Sequence, residues 1–200
     1  MAYATIADFK AYKRGFGDAS SDDDALITSI LARVQASIDK YCHRTFEASG
    51  DTTRYRDAVA DVGKDSAEAR RTLYLDTDLC QITSITNGDG TTVSASNYIT
   101  LPVNHSPFYA IRLKTNSSIA WTYDDTPENA IAIVGRHAWS IEAPDDVVHW
   151  TLRLSAWVYE QSTNYDGGVD RPMVSPDGVL RLPMAWPKDV LDGLKGYRRL

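Results

Sequence analysis

Cys42 and His43 are the one adjacent thiol and imidazole in the chain, and such a pair could ligate a metal or share a proton. A structural zinc site needs about four ligands at suitable spacings. The other candidate ligands stand singly, without a CxxC or HxxxH pattern: Cys80, His105, His137 and His149. On a helix the Cys42 and His43 side chains diverge by about 100°, so they cannot pair as nucleophile and base. We interpret Cys42 as a core thiol beside an exposed histidine and expect no metal site.

The carboxylate run Asp22-Asp23-Asp24 could hold a divalent cation. It lacks the spacing of a calcium loop, in which alternating acidic residues and a closing glutamate surround the ion. A position at a helix start explains the run, because carboxylates favour the positive end of the helix dipole. The chain also has no GxxxxGK[ST] loop, no GxGxxG fingerprint and no GxSxG elbow. The sequence therefore predicts neither a cofactor nor catalytic residues, and we expect a protein that is not an enzyme.

Five tryptophans could form a platform for stacking on sugars or bases: Trp121, Trp139, Trp150, Trp157 and Trp186. Trp150 and Trp157 share one face of a predicted helix, so they suit a core or a subunit interface better. Trp139 and Trp186 fall near the ends of predicted elements and are candidates for interface anchors.

The composition is that of a folded domain, with 43% hydrophobic and 24% charged residues among 200. A net charge of −6 argues against a protein that grips phosphates, although Arg198 and Arg199 could pair with acidic groups of a protein partner. The first residues show no signal peptide, and no apolar run approaches the ~20 residues that span a bilayer. Two cysteines cannot define a disulfide framework, so we expect a soluble protein of a reducing cytoplasm with no membrane partner.

Helical periodicity predicts two long helices, over about residues 21–44 and 145–161. The first can be capped by Ser20 or Ser21, and its predicted apolar stripe comprises Leu26, Ile27, Ile30, Leu31, Val34, Ile38 and Tyr41. The second opens at Pro144-Asp145-Asp146, with Val147, Trp150, Thr151, Leu154 and Trp157 or Val158 on its apolar face. Two short helices complete the set: one runs from Thr5 to about Arg14, and one follows Pro187 with Val190, Leu191, Leu194 and Tyr197 on one face.

Between the long helices, strand signals recur roughly every ten residues: 54–56, 72–75, 82–86, 91–93, 98–101, 110–113, 120–123 and 130–134. Asn87-Gly88-Asp89-Gly90 is the strongest hairpin signal. The predicted fold is α+β: a helical body (residues 1–46 and 144–200, ending in a C-terminal tail) with an inserted small antiparallel β-sheet or barrel (47–143). Residues 162–183 lack periodicity, and connections this long are often functional.

This order of elements resembles the head–tail connector (adaptor, or head-completion) proteins of long-tailed bacteriophages. The likeness spans roughly residues 20–161 and the last dozen, and it rests on the order and spacing of loose apolar motifs. His137-Ala138-Trp139 departs from the Gly-Tyr that is more usual in the family. The residues that carry the likeness are Asp24, Leu26, Ile30, Ala36, Ile38, Tyr41, Arg44 and Phe46, then Leu73, Leu75, Ile82, Ser84, Ile85 and Tyr98, then Ile131-Ala132-Ile133-Val134-Gly135 with Pro144-Asp145-Asp146-Val147, and finally Pro187, Val190, Leu194 and Tyr197-Arg198-Arg199.

The resemblance implies a structural virion protein whose copies form a ring, a dodecamer in this family, beneath the portal of the capsid. The ring would extend the DNA channel in the neck of the virion, without sequence recognition, and would offer the attachment site for the next neck or tail-completion protein. The helices would build the ring wall, and the β-rich insert would face outward or toward the next ring. Such subunits are made in the host cytoplasm and can be monomeric until they meet the portal.

The resemblance also implies that the C-terminal tail reaches into the portal, and it predicts these portal-binding residues: Trp186, Leu194, Tyr197, Arg198, Arg199 and Leu200. Deleting residues 187–200 is then expected to leave the subunit folded and to abolish portal docking. Two alternatives remain open. One is a tail-completion or tail-terminator protein that binds the tail tube, and the other is a ligand-binding β module with helical flanks that stacks tryptophan on sugar.

Overall fold

The computed structural model describes residues 2–14, 23–58, 71–163, 173–174, 180–181 and 186–199. The chain divides into two compact units. One, the β-rich unit, is Arg44–Ala143, and the other, the helical unit, combines Ala2–His43 with Pro144–Leu200. The fold class is α+β, as the sequence predicts.

The described part of the helical unit contains α1 (Ile6–Lys13), α2 (Asp24–Cys42), α3 (Asp145–Thr163) and α4 (Lys188–Leu194). α1 begins where predicted, because Thr5 and Asp8 form a capping box. Thr5 Oγ1 accepts from the Asp8 N–H at 3.2 Å, and Asp8 Oδ2 accepts from the Thr5 N–H at 2.8 Å. Hydrogen bonds from the Thr5 hydroxyl and then from its backbone lower the pKa of Asp8.

Contacts between α1 and α3 include aromatic ring contacts and an ion pair. The rings of Phe9 and Tyr159 meet edge to face, with centroids 5.6 Å apart. Lys13 Nζ lies 2.7 Å from Glu160 Oε1, and the Lys13 side chain is only 7% exposed. A buried lysine is retained when a carboxylate pairs with it, and this ion pair meets that requirement.

α2 and α3 pack on each other, and α3 also contacts α1 and α4. α2 buries most of its predicted stripe: Ile27, Ile30, Leu31, Val34 and Ile38, together with Cys42. The prediction for Leu26 is wrong, because this side chain is 39% exposed. Leu26 is rotated by about 100° from Ile27, which lies at the centre of the buried stripe. On α3, Val147, Thr151 and Leu154 are buried as predicted, and Trp150 and Trp157 are half-buried.

The start of α2 differs in part from the prediction. Ser20, Ser21 and Asp22 lie outside the described residues, and Asp23 is the N-cap without a side-chain capping hydrogen bond. Asp23 Oδ2 instead accepts a hydrogen bond from the Tyr159 hydroxyl at 2.7 Å, and this bond raises the pKa of Tyr159. The carboxylate run is thus used in part to hold α2 against α3.

Two short strands follow α3: β7 (Met173–Val174) and β8 (Leu180–Arg181), paired antiparallel. The six strands of the β-rich unit, β1 to β6, precede them in the chain. Of the predicted connection 162–183, residues 162–163 belong to α3, and residues 164–172, 175–179 and 182–183 lie outside the described residues.

Six strands of the β-rich unit form two three-stranded antiparallel sheets. They are β1 (Thr52–Arg56), β2 (Thr72–Leu79), β3 (Gln81–Thr86), β4 (Tyr98–Leu101), β5 (Phe108–Leu113) and β6 (Ile131–Arg136). The strand orders are β1-β6-β3 and β2-β5-β4. Of the two predicted forms of the insert, the antiparallel sheet is therefore confirmed, and the closed barrel is wrong for the residues that the structure describes.

The two sheets share one core. β2 and β3 are separated only by Cys80, so the chain passes from one sheet directly into the other. The buried side chains come from both sheets: Leu73, Leu75, Leu79, Ile85, Val93, Ile111, Leu113, Ile131 and Ile133. Trp121 packs against this cluster, and its indole N–H donates to Arg71 O at 3.1 Å, so this tryptophan has a structural role.

Two predicted strands are wrong, at 91–93 and 120–123. The Asn87–Gly90 turn does form, with the Gly90 N–H donating to Asn87 O at 2.9 Å and Gly90 at φ +77°. Its returning arm makes only an isolated bridge between Thr92 and Thr86. Residues 120–123 likewise contribute only a bridge, between Tyr123 and Gly88. Val93 and Trp121 pack on the core, but neither segment has a continuous partner strand, and such a partner defines a strand.

The segments where the chain enters and leaves the β-rich unit run parallel and are hydrogen-bonded to each other. The Trp139 N–H donates to Thr45 O at 2.8 Å, and the Ala48 N–H donates to Ser140 O at 3.2 Å. Beside them, Arg44 Nε lies 3.5 Å from Asp78 Oδ2, and the Arg44 guanidinium carbon is 4.6 Å from the centroid of the Trp139 ring. Trp139, a candidate interface anchor, therefore packs within this unit.

Gly135 in β6 has no room for a side chain, since an added Cβ would lie 2.2 Å from the backbone oxygen of Gln81. The added methyl group of Gly135→Ala must push β3 away from β6, although backbone hydrogen bonds hold these two strands together. We expect the free energy of unfolding to fall by about 2–3 kcal/mol, measured by urea titration with circular dichroism. Gly50→Ala is the control, because no heavy atom lies within 4 Å of its added Cβ. Equal effects of the two substitutions would contradict the packing argument.

His137 predicts a pH dependence of the β-rich unit. Burial lowers the pKa of His137, and the positive charges of Arg54 and Arg56 lower it further. In the unfolded chain the imidazole binds its proton near pH ~6.5, so below that value protonation favours unfolding. Stability is therefore full above about pH 6.5 and is lost as the pH falls toward the folded pKa. Urea midpoints at about pH 7.5 and about pH 5.5 should differ less in His137→Gln than in the wild type, and equal differences would refute the assignment.

Candidate interaction surface at the C-terminal tail

α4 forms a fixed base for the tail because its inner face is buried. Val190 and Leu194 are both 0% exposed. The Cys42 thiol lies beneath the end of the helix, with Sγ 3.9 Å from Leu194 O. A Cβ on Gly193 would lie 2.3 Å from the Trp150 indole, so the tryptophan ring rests directly on the α4 backbone. Leu194, one of the predicted portal-binding residues, is thus a fully buried core residue of the helical unit.

Local chemistry explains where α4 starts. Pro187 occupies the N-cap position, and the Leu191 N–H donates to Pro187 O at 3.2 Å. Asp189 in the first turn lies near the positive end of the helix dipole, and its Oδ2 is 3.2 Å from Arg153 Nε on α3. The helix therefore begins as predicted and is tied to α3 on its polar side as well.

Tyr41, near the end of α2, contacts residues from both ends of the C-terminal segment. The Trp186 ring packs on it with centroids 5.7 Å apart. The guanidinium carbon of Arg198 lies 5.1 Å from the centroid of the same ring, in cation–π geometry. Trp186 is half-buried and Arg198 is exposed.

Tyr197 and Arg199 bind the ends of the two long helices. The Tyr197 hydroxyl donates to Asp146 Oδ2 at 2.6 Å in the first turn of α3. Burial and then this hydrogen bond raise the pKa of Tyr197 to about 12. The Arg199 N–H donates to Cys42 O at 2.9 Å. The last carbonyls of a helix lack intrahelical donors, so the tail satisfies one of them while Arg198 brings positive charge to the negative end of α2.

The structure therefore brings four of the six predicted residues together: Trp186, Tyr197, Arg198 and Arg199. Leu194 lies beneath them, and Leu200 is outside the described residues. Sequence analysis missed the acceptor side of this surface, which comprises the Tyr41 ring, the Cys42 carbonyl and the Asp146 carboxylate. No spacing links Asp146 to Tyr197, and each acceptor already had a local explanation as a helix residue.

The structure also shows where the cysteine and histidine candidates lie. Cys42 is buried and His43 is exposed at the left-handed C-cap of α2, with φ 55°, which confirms our interpretation of this pair. Burial raises the pKa of the Cys80 thiol, so the thiolate is disfavoured there. In the part of the chain that the structure describes, no three His, Cys, Asp or Glu side chains come together as metal ligands. None of its described helices is long and apolar enough to cross a membrane.

Known structures share this fold, whereas no family model and no curated protein matches the chain. A chain in the neck of an empty gene transfer agent (GTA) particle, computed with C6 symmetry, has a TM-score of 0.58 at 16% identity, covering 99% of this chain and 90% of that one. The neck of the native GTA particle, computed with C12 symmetry, gives 0.54 at 14%, covering 98% and 88%. The virion of the native GTA particle gives 0.54 at 15%, covering 99% and 90%.

Leu194→Ala tests whether this residue supports the tail from the core. Removing a fully buried leucine leaves a cavity, so we expect the free energy of unfolding to fall by about 2–4 kcal/mol in urea titration. Leu191→Ala, at a half-buried position on the same helix, is the matched control and should cost clearly less. An unchanged stability in Leu194→Ala would assign the residue to a surface contact instead.

Proposed function

We propose that this chain is a structural neck protein of a phage-like particle, in the class of head–tail adaptors that form a ring beneath the portal. The single observation that carries the proposal is the fold, which follows chains of gene transfer agent necks over 98–99% of its length. A likeness of that extent includes the β-rich unit, the helical unit and the C-terminal segment. It accounts for the chain without any reaction, and we assign it no enzymatic role.

The proposed assembly is a ring of copies around the DNA channel, located in the neck of the virion. The similar necks were computed with C6 and C12 symmetry, which supports a closed ring, and we propose a ring of twelve copies. The net charge of −6 suits a channel that DNA must traverse without sticking. In this proposal the β-rich unit is available to the next neck or tail-completion protein.

We assign the portal contact to the tail residues Tyr197, Arg198 and Arg199. Arginine binds carboxylates through several donors at once, so an acidic groove on the portal is the matching partner surface. Trp186 and Leu194 instead hold the base of the tail against the helical unit. The burial of Val190 and Leu194 also changes the expectation for a deletion of residues 187–200, which would remove core side chains and destabilise the subunit.

The test is size-exclusion chromatography with light scattering, on the protein alone and mixed with the portal protein of the same particle. We expect the protein alone to elute as a ring or as a monomer. Mixed with the portal protein, it should co-elute with it. A chain ending at Gly196 keeps α4 and should stay folded while losing co-elution. Lys188→Ala is the control, because this α4 side chain is 87% exposed and forms an ion pair with Asp192 of the same helix.

The outcomes separate the alternatives. Co-elution of the Gly196-terminated chain would show that the tail is not the anchor. A monomer that ignores the portal and binds the tail tube would establish a tail-completion protein. A change in tryptophan fluorescence on addition of glycans, without either partner interaction, would support the ligand-binding module.

A further inference from the structure

The C-terminal segment is held by two kinds of contact that differ in strength. α4 is anchored by the complete burial of Val190 and Leu194 and by the close approach of Trp150 to Gly193. Complete burial of aliphatic side chains is among the strongest stabilising contributions in a small unit. The helix cannot leave its place without exposing this surface to water.

Beyond Gly196 the described contacts with the two long helices include three through polar or charged groups, and none of residues 197–199 is fully buried. These contacts are the Tyr197 hydrogen bond to Asp146, the Arg198 cation–π contact with Tyr41 and the Arg199 hydrogen bond to the Cys42 carbonyl. Water and counterions can replace each of these partners, so each contributes little net free energy at the surface. Gly196, with no heavy atom within 4 Å of an added Cβ, separates the two kinds of contact.

We propose that residues 197–199 form a latch that closes on the ends of α2 and α3 and opens while α4 stays docked. Opening frees the Tyr197 hydroxyl, the Arg198 guanidinium and the Arg199 N–H together. The biological meaning rests on the proposed function, since an acidic neck partner would take these same groups and would compete with Asp146, Tyr41 and the Cys42 carbonyl. The latch itself is a property of the isolated chain.

Asp146 is the residue through which to test the latch. Its carboxylate belongs to α3, so Asp146→Asn weakens the acceptor without altering the tail. Asp145→Asn is the matched control, because Asp145 stands in the same first turn and the substitution removes the same charge from the helix start. An effect of Asp146→Asn that Asp145→Asn does not share is therefore not due to the helix dipole. Asp146 Oδ1 also accepts from the Val147 N–H at 3.0 Å, so Tyr197→Phe must reproduce the effect to assign it to the tail contact.

The measurement is NMR-detected amide hydrogen exchange on the full chain. In the wild type, the Arg199 amide should exchange faster than the Leu194 amide within α4, because local opening precedes undocking of the helix. Asp146→Asn should speed exchange at Arg199 by about three- to tenfold and leave Leu194 unchanged, as expected for the loss of one charge-assisted hydrogen bond. Asp145→Asn should leave both rates unchanged.

Two results would overturn the latch: exchange of Arg199 at the rate of Leu194 in the wild type, or no acceleration in Asp146→Asn. If Asp146→Asn loosened all of α3, Leu194 would accelerate too, and Tyr197→Phe then decides, because it removes only the hydroxyl. Tyr197→Phe must accelerate Arg199 alone for the latch to stand. No portal is used, so a failure of portal co-elution leaves this test unaffected, and a failed latch leaves the neck assignment unaffected.

Discussion

The packing of α2 against α3 is the interaction on which the helical unit depends, and the chain separates these two helices by the whole β-rich unit. Closing so long a segment costs entropy, although that cost grows only with the logarithm of its length. The faces that pack together must therefore bury enough apolar surface to offset this cost, and five aliphatic side chains of α2 are buried: Ile27, Ile30, Leu31, Val34 and Ile38. α1 and α4 each contact α3, so they depend on the same pairing.

The β-rich unit meets a matching constraint at its own ends. An insertion between two helices that pack together must start and finish close in space. Hydrogen bonds between residues 45–48 and 139–140 provide that closeness, and the fully buried Phe46 fixes the entering segment. The Arg44–Asp78 ion pair, with side chains 12% and 10% exposed, joins the entering segment to β2, where removal of one partner would leave a charge nearly without water.

The C-terminal surface is a product of the helix pairing. A helix end presents unsatisfied carbonyls and a partial negative charge, and the start of another helix presents its capping carboxylates. The Cys42 carbonyl and the Asp146 carboxylate are these two groups, and Tyr41 adds an aromatic face. A tail that carries a hydroxyl, a guanidinium and a backbone N–H is the chemical complement of that set.

Much of the secondary structure could be predicted from local chemistry. The Thr5 and Asp8 capping box, the long periodic helices and the proline before α4 are all determined within one or two turns of chain. The strand signals at 91–93 and 120–123 were misleading, because a strand requires a partner at its edge and propensity does not supply one. The exposure of Leu26 shows the same limit on a helix, where residues at the margin of a stripe are buried only if a neighbour covers them.

For the candidate site, the sequence by itself determined the chemistry of the tail: an aromatic hydroxyl followed by two guanidinium groups after a short helix. Only the tertiary structure decided which of the predicted residues lie in the core and which lie nearer the surface. Leu194 shares a helical face with Tyr197, yet one is in the core and the other binds Asp146. That difference arises from α2 and α3, which meet through contacts between residues far apart in the chain, and no local pattern encodes what a distant helix will cover.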